Sequence, residues 1–442
     1  MVNNTLRSKI KCLFYGALVL CSQGSLTAQS NFIAGADVSL LAYFETNGIV
    51  YKDNGQTGDA IAILKNHGIN CIRLRLFTSS AAQAQADPYD YINNPTYTVP
   101  LAVRVKNAGL QFMLDFHYSD TWADPGQQAT PDAWTNLTFA QLVPQMRSYN
   151  SNTIATFAAA GAMPDYVQIG NEITDGILWT NGQLTGTWSS SNPSWIRLGQ
   201  LLTAAVQGIQ DASTAVGAQM PKIVVHIDRG GDWATTEAFF DNLNAQGVPY
   251  DIIGESYYPF YHGPLTNAAN CLTNAAHRYG KPIFVAETDF PWIDSTNIYG
   301  IPATTNGQVQ FTVALGQIVK SVPNNLGAGI FWWGAEYQIP NANEAGVGTR
   351  SFFDNNGNLL PAADALGQFA APIDLSVNLN VPNLTLQWPL SGSGMSLMTA
   401  TSLIPPVSWL PVTNLVQNTG TVYDVTLPMD AAQSRFYRLQ SQ

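Results

Sequence analysis

Eight short apolar segments, separated by helical stretches and polar loops, recur between residues 31 and 369. Runs at 33–38, 70–77, 111–116, 166–169, 223–227, 251–254, 282–286 and 329–332 are rich in Ile, Val, Leu and Phe. They have the length of strands rather than helices. Helical periodicity covers 59–66, 100–108, 153–160 and 196–215. A strand that returns through a helix pairs in parallel with its predecessor, so this alternation predicts a parallel sheet covered on both faces. Eight such units fit a closed α/β (β/α)8 TIM barrel. A doubly wound open sheet is the second reading. After residue 371 Lys and Glu vanish. Short alternating runs follow at 376–379, 384–388, 396–399, 407–412, 422–427 and 436–439, with Gly, Pro and Asn between them. They predict a small all-β sandwich domain. The expected division is therefore a barrel over 29–371 and a β-sandwich module over 372–442.

Residues 1–28 read as a signal peptide. Arg7, Lys9 and Lys11 precede an apolar stretch over 12–20, and Leu26-Thr27-Ala28 offers a small residue for cleavage. A lipoprotein signal ending at Cys21 is the rival, but Leu20 is large where such signals take a small residue. Export to the cell exterior or the periplasm is expected. Elsewhere no apolar run approaches the ~18 residues of a membrane span. Lys and Arg number 19 against 30 Asp and Glu, a net charge of −11. That balance argues against nucleic acid and anionic membranes as partners. Charged residues make up 11% of the chain, against about 25% in ordinary proteins. Asn, Gln, Ser, Thr and aromatic residues fill the gap, as suits a secreted protein that meets neutral polar ligands. A monomer is expected. Beyond the signal only Cys71 and Cys271 remain, and their spacing leaves pairing open. No Cys/His metal spacing and no glycine-rich phosphate loop occurs, so neither metal nor cofactor is expected.

In a barrel of this type the C-terminal strand ends build the site. Here they carry Arg73 and Arg75 (strand two), Asp115, His117 and Asp120 (three), Asn171 and Glu172 (four), His226, Asp228 and Arg229 (five), Glu255, Tyr257 and Tyr258 (six), Glu287 and Asp289 (seven) and Trp332-Trp333 (eight). A lone carboxylate at a strand end is most often a loop cap. Glu172 and Glu287, after strands four and seven, form a pair across the barrel mouth. Glycoside hydrolysis needs such a pair, one carboxyl protonated to release the leaving oxygen and one ionised to attack or to activate water. Trp122, Trp134, Trp179, Trp233 and Trp292 fall in the loops, where flat aromatic faces suit the C–H side of sugar rings.

Several strings in order carry a family likeness. They are DNGQTGDAIAILKNHGINCIRLRLF (53–77), MLDFHYSDTWADPGQQ (113–128), VQIGNEITDGILW (167–179), VVHIDRGGD (224–232), GESYYPFYHG (254–263) and FVAETDFPW (284–292). Together they resemble the endo-β-1,4-galactanases of glycoside hydrolase family 53 over nearly all of 31–369. The resemblance implies a retaining enzyme that cleaves internal β-1,4-galactosidic bonds in the galactan (type I arabinogalactan) side chains of pectin. It implies Glu172 as acid/base, Glu287 as nucleophile, and Arg73 beside the nucleophile. His117 and Tyr258 then line the sugar site next to the cleaved bond, with Trp333 under that sugar. Asp115, Asp120, Trp122, Asn171, Asp228 and Trp292 complete the expected substrate-binding set. A mannanase or cellulase of the same clan is the neighbouring alternative. A non-catalytic carbohydrate-binding barrel is the distant one, and it expects one glutamate to be lost. Two departures stand out. Glu255 replaces an apolar residue, and its side chain either disturbs the catalytic pair or faces away. Asp289-Phe290 replaces Gly-Tyr. The loops after strands seven and eight read as short, without the Asp, Asn and His cluster that holds calcium in some relatives.

Overall fold

The computed structural model describes residues 32–338, 348–392, 394–420, 422–429 and 435–441. The signal peptide at 1–28 lies outside the described residues. By chain contacts the protein divides into a unit over Ile33–Leu366 and a second over Gly367–Gln442, to which Phe32 belongs.

The first unit is a closed barrel of eight parallel strands in sequential order. These are β1 (Ile33–Asp37), β2 (Cys71–Leu76), β3 (Gln111–Phe116), β4 (Tyr166–Ile169), β5 (Lys222–Ile227), β6 (Ile252–Ser256), β7 (Ile283–Thr288) and β8 (Gly327–Trp332). β1 pairs with both β8 and β2, which closes the sheet and excludes the open doubly wound alternative. The main helices are α1 (Ala60–Asn66), α2 (Pro95–Asn107), α3 (Phe139–Ala159), α4 (Pro193–Ala215), α5 (Trp233–Ala245), α6 (Leu265–Tyr279), α7 (Thr305–Lys320) and α8 (Ala362–Gly367). Two of them begin well before the periodicity predicts, because each runs through a proline, Pro100 in α2 and Pro144 in α3. Proline removes one backbone donor and usually ends a helix. Here N-terminal anchoring offsets that loss. The Asn94 side chain accepts from the Tyr97 amide, and the Gln141 side chain accepts from the Thr138 amide at 2.9 Å.

Side chains alternate across a strand, so every second residue enters the barrel. The lowest interior layer is apolar, built from Ile33, Cys71, Met113, Val224, Ile252, Phe284 and Phe331 with Tyr166 beside them. Gly35 sits above it on β1. A Cβ there would lie 2.2 Å from the Phe331 ring, so only glycine lets that ring fill the interior. The next layer is polar: Arg73, Asp115, Gln168 and His226, each fully buried. Cys71 and Cys271 are both free and buried, which answers the pairing question in the negative.

β7 departs from the alternation. Beyond Val285 it carries one residue more than either neighbour. Val285 and Glu287 pair with the consecutive Glu255 and Ser256 of β6, and Val285 and Thr288 pair with Ile330 and Trp332 of β8. Such a bulge re-aims the side chains beyond it.

The second unit holds two antiparallel sheets. One joins Ser376–Asn380, Asn383–Pro389, Val422–Pro428 and Gln417–Asn418, and the other joins Leu410–Pro411, Met395–Ala400 and Phe436–Ser441. Leu375, Leu386, Trp388, Leu397, Val425, Leu427 and Leu439 form its core. The strand expected over 407–412 shrinks to Leu410–Pro411. Pro405, Pro406 and Pro411 leave that stretch short of backbone donors.

Candidate active site

Arg73 organises the polar layer. Its Nη1 donates to Asp37 Oδ2 at 2.9 Å, its Nη2 to Asp115 Oδ2 at 2.8 Å and Asn171 Oδ1 at 2.9 Å, and its Nε to Gln168 Oε1 at 3.2 Å. Nη2 also lies 2.7 Å from Glu287 Oε1. Burial alone would weaken the guanidinium's hold on its proton, but the facing carboxylates Asp115, Glu287 and Asp37 reverse that and raise its pKa. Burial likewise works against the Asp115 carboxylate. Arg73 and His117 outweigh it and hold Asp115 below the usual range. His117 places Nε2 3.1 Å from Asp115 and accepts the Ala123 amide on Nδ1 at 2.9 Å. Burial keeps its pKa down and the ring neutral.

The β7 bulge turns Glu287 into the cleft mouth, where Tyr258 donates to its second oxygen at 3.0 Å. Glu172 stands on the opposite strand end. It is held in the left-handed region at φ 48, after Gly170 at φ 103, which turns the chain sharply off β4. Its Oε1 accepts from Ser256 Oγ at 2.6 Å. Ser256 in turn lies 2.8 Å from His226 Nε2. Burial and Arg73 push the His226 pKa well down. The ring is therefore neutral, donates from Nε2 and accepts on Nδ1, which Gln168 Nε2 approaches at 3.0 Å. Burial and the facing Glu287 push Glu172 well above the usual carboxyl range. Burial raises Glu287 as well, but there Arg73 pulls in the opposite direction. The two carboxyls thus stand in unequal surroundings, the condition for dividing acid and nucleophile roles between them.

Both glutamates line one cleft of about 810 Å³. Trp122 and Trp333 line it too, with ring centroids 6.3 Å apart. Trp122 is fixed by Arg75, whose guanidinium lies 4.1 Å from its ring centroid, and by a 3.0 Å hydrogen bond to Asp90. Trp333 stacks on Tyr337. His117, Asn171, Asp228 and Tyr258 also line the cleft. Asp228 accepts from the Thr174 hydroxyl. Arg73 and Asp115 lie fully buried outside the cleft lining and act through the residues they hold. Two further expected site residues, Asp120 and Trp292, do not reach the cleft either. Asp120 is occupied by the Thr78 hydroxyl, Gln83 and the Asp132 amide, so it ties loops together. Trp292 bonds instead to the backbone around 348–349. Of the five loop tryptophans only Trp122 reaches the cleft. Trp134 packs on Tyr149, Trp179 bonds to the Asp175 carbonyl, and Trp233 starts α5 beside Tyr279.

The family model described as Glycosyl hydrolase family 53 matches residues 33–366. The chain belongs to glycosyl hydrolase family 53. It is 38% identical over 355 residues to a Niallia circulans protein known only as uncharacterised in the bgaB 5′ region, covering 76% of this chain and 93% of that protein. It is 35% identical over 335 residues to arabinogalactan endo-beta-1,4-galactanase A of Aspergillus niger, covering 73% and 88%. Among solved structures, the Ignisphaera aggregans GH53 catalytic domain superposes with a TM-score of 0.68 at 32% identity, covering 77% of this chain and 96% of that one.

Within this family 53 barrel, Glu255 faces away from the cleft. It accepts from the Arg229 amide at 3.2 Å and from Thr236 of α5 at 3.1 Å, and burial raises its pKa well above normal. The loop after β7 is longer than expected. It forms an antiparallel hairpin of Ile293–Ile298 and Ile301–Thr304. Asp289 lines the cleft beside Glu287, 3.2 Å from Arg350 Nη1. Burial lifts it to about 7 against the pull of Arg350. Arg75, Tyr91, Tyr261, Asp289 and Arg350 line the cleft but were not among the expected contacts. Ser256 and His226 stand at the ends of strands six and five but were given no role in the expected set, although both occupy inward positions of the two-residue period, which was the signal available. Among the described residues no group of three or more His, Cys, Asp or Glu is placed to hold a metal ion. No described helix is long and apolar enough to cross a membrane.

Proposed function

We propose that this chain is a secreted, retaining endo-β-1,4-galactanase. Glu172 protonates the departing glycosidic oxygen while Glu287 attacks the anomeric carbon. Glu172 then removes a proton from the water that releases the glycosyl-enzyme. The observation that carries this reading is the unequal setting of the two carboxyls. Arg73 and Tyr258 both face Glu287 and favour its charge. Glu172 is buried with a carboxylate opposite, which favours the proton. The substrate follows from the named relatives, whose printed activity is on arabinogalactan. Secretion follows from the signal-like residues 1–28.

The test has two parts. Hydrolysis of unbranched β-1,4-galactan should exceed that of mannan, xylan and cellulose by several powers of ten, because a site that bonds an axial hydroxyl leaves polar groups unpaired with glucose. Proton NMR should show the β-anomer forming first. Comparable rates on a glucose or mannose polymer overturn the substrate, and first formation of the α-anomer overturns the nucleophile.

A further inference from the structure

A second depression of about 690 Å³ adjoins the cleft. Phe260, Tyr261, Pro291, Asn297, Tyr299 and Arg350 are among its walls. Tyr261 and Arg350 line both spaces, so the two lie side by side with these residues between them. Tyr261 is 74% exposed and Tyr299 62% exposed. They come from separate loops, after β6 and after β7.

The junction between the spaces is built. Buried Asp289 tethers Arg350, the Arg350 guanidinium lies 4.9 Å from the Phe260 ring centroid, and Phe260 meets Tyr261 edge-on at 4.7 Å. The far wall is equally defined. Ile298 pairs with Ile301, so Tyr299 and Gly300 form a two-residue hairpin turn with φ of 50 and 88. Such turns favour Asn-Gly, because both positions need positive φ. A tyrosine there is held in a conformation that bulky residues seldom adopt, and its ring is left exposed at the groove.

We propose that Tyr261 and Tyr299 carry the polysaccharide out of the cleft past Arg350, giving this enzyme at least one galactosyl-binding position beyond those at the catalytic pair. The proposal rests on the galactanase reading above. Galactose has an axial hydroxyl at C4, so a β-1,4-galactan bends at each linkage. A bent chain meets successive rings at different angles, which suits two platforms on separate loops rather than one flat strip. Sugar C–H faces supply the apolar contact, and Asn297 and Arg350 supply polar edges.

Tyr299→Asn is the informative variant. Asn is preferred at that turn position, so the hairpin keeps its geometry while the ring is lost. On long galactan kcat/KM should fall roughly three- to tenfold, the scale of one aromatic contact. On the shortest galacto-oligosaccharide that the enzyme cleaves it should stay unchanged, and Tyr299→Phe should retain wild-type kinetics on both. Tyr299→Asn acting alike on polymer and short substrate, or on neither, overturns the proposal while wild-type cleavage of galactan leaves the functional reading intact. Failure of the wild type on galactan overturns both.

Discussion

Ser256 donates to Glu172 at 2.6 Å, and His226 behind it leaves the serine hydroxyl no other acceptor. A donor aimed at a carboxylate stabilises its charged form. Ser256 therefore restrains the upward shift that burial and Glu287 impose on Glu172. Ser256→Ala should raise the Glu172 pKa and move the basic limb of the kcat/KM profile up by about one pH unit, the worth of one hydrogen bond to a charge. A fall in rate with an unmoved limb would show that Ser256 only fills space.

Arg73 is the counter-charge for Asp37, Asp115 and Glu287. Arg73→Gln should lower stability by about 3–5 kcal/mol, the usual loss when one partner of a buried pair is removed. In the folded fraction Glu287 should hold its proton to higher pH, so the acidic limb of the pH–rate profile moves up. Arg73→Lys should recover part of that limb, since it restores the charge but not the fork. Urea unfolding and pH–rate curves read the two effects separately.

Glu336 is fully buried, accepts the Leu40 amide on one oxygen, and is pushed up to about 8 by burial and by Asp37. A folded-state pKa above the unfolded value means stability that is present at low pH and lost as the pH rises through the folded value. Melting temperature should therefore decline between about pH 5 and pH 8. Glu336→Gln cannot ionise, so its decline should be shallower. Parallel curves for the two proteins would assign the pH dependence elsewhere.

The Ile33–Leu366 unit contains the whole barrel and every residue of the cleft. A chain ending at Ala371 should stay soluble and retain its kcat/KM on a soluble oligosaccharide within about twofold, as expected for a unit with its own core. Loss of the folded circular dichroism signal would show that the β-sandwich stabilises the barrel.

The barrel was legible because eight strands of Ile, Val, Leu and Phe leave few other ways to cover a parallel sheet. The two glutamates of the cleft were legible because both stand at strand ends within motif strings. The wall aromatics were not. Which loop tryptophan faces sugar depends on where its indole nitrogen finds a partner. The Asp175 carbonyl takes Trp179 and the Gly348 carbonyl takes Trp292, and neither partner has a periodic signature. Asp120 was misplaced for the same reason, since its three partners come from two stretches of chain, 78–83 and 132, with no periodic signature. Glu255 was readable in hindsight. Gly254 and Ser256 face inward, so the residue between them must face out.

The extra residue in β7 makes the aim of Glu287 a matter of counting rather than of chemistry. Phe284 points into the barrel, and simple alternation from it would assign the inward place to residue 286 and send Glu287 into the helical shell. With Ala286 present, the inward aim of Glu287 thus depends on the bulge that absorbs the extra residue. Removing Ala286 would alter no ionisable group and almost no volume. Plain alternation from Phe284 would then send Val285 outward and Glu287 inward, so the bulge would be lost while Glu287 still faced Arg73 and Tyr258. A conventional alanine scan replaces side chains without changing their number and would pass over this dependence entirely.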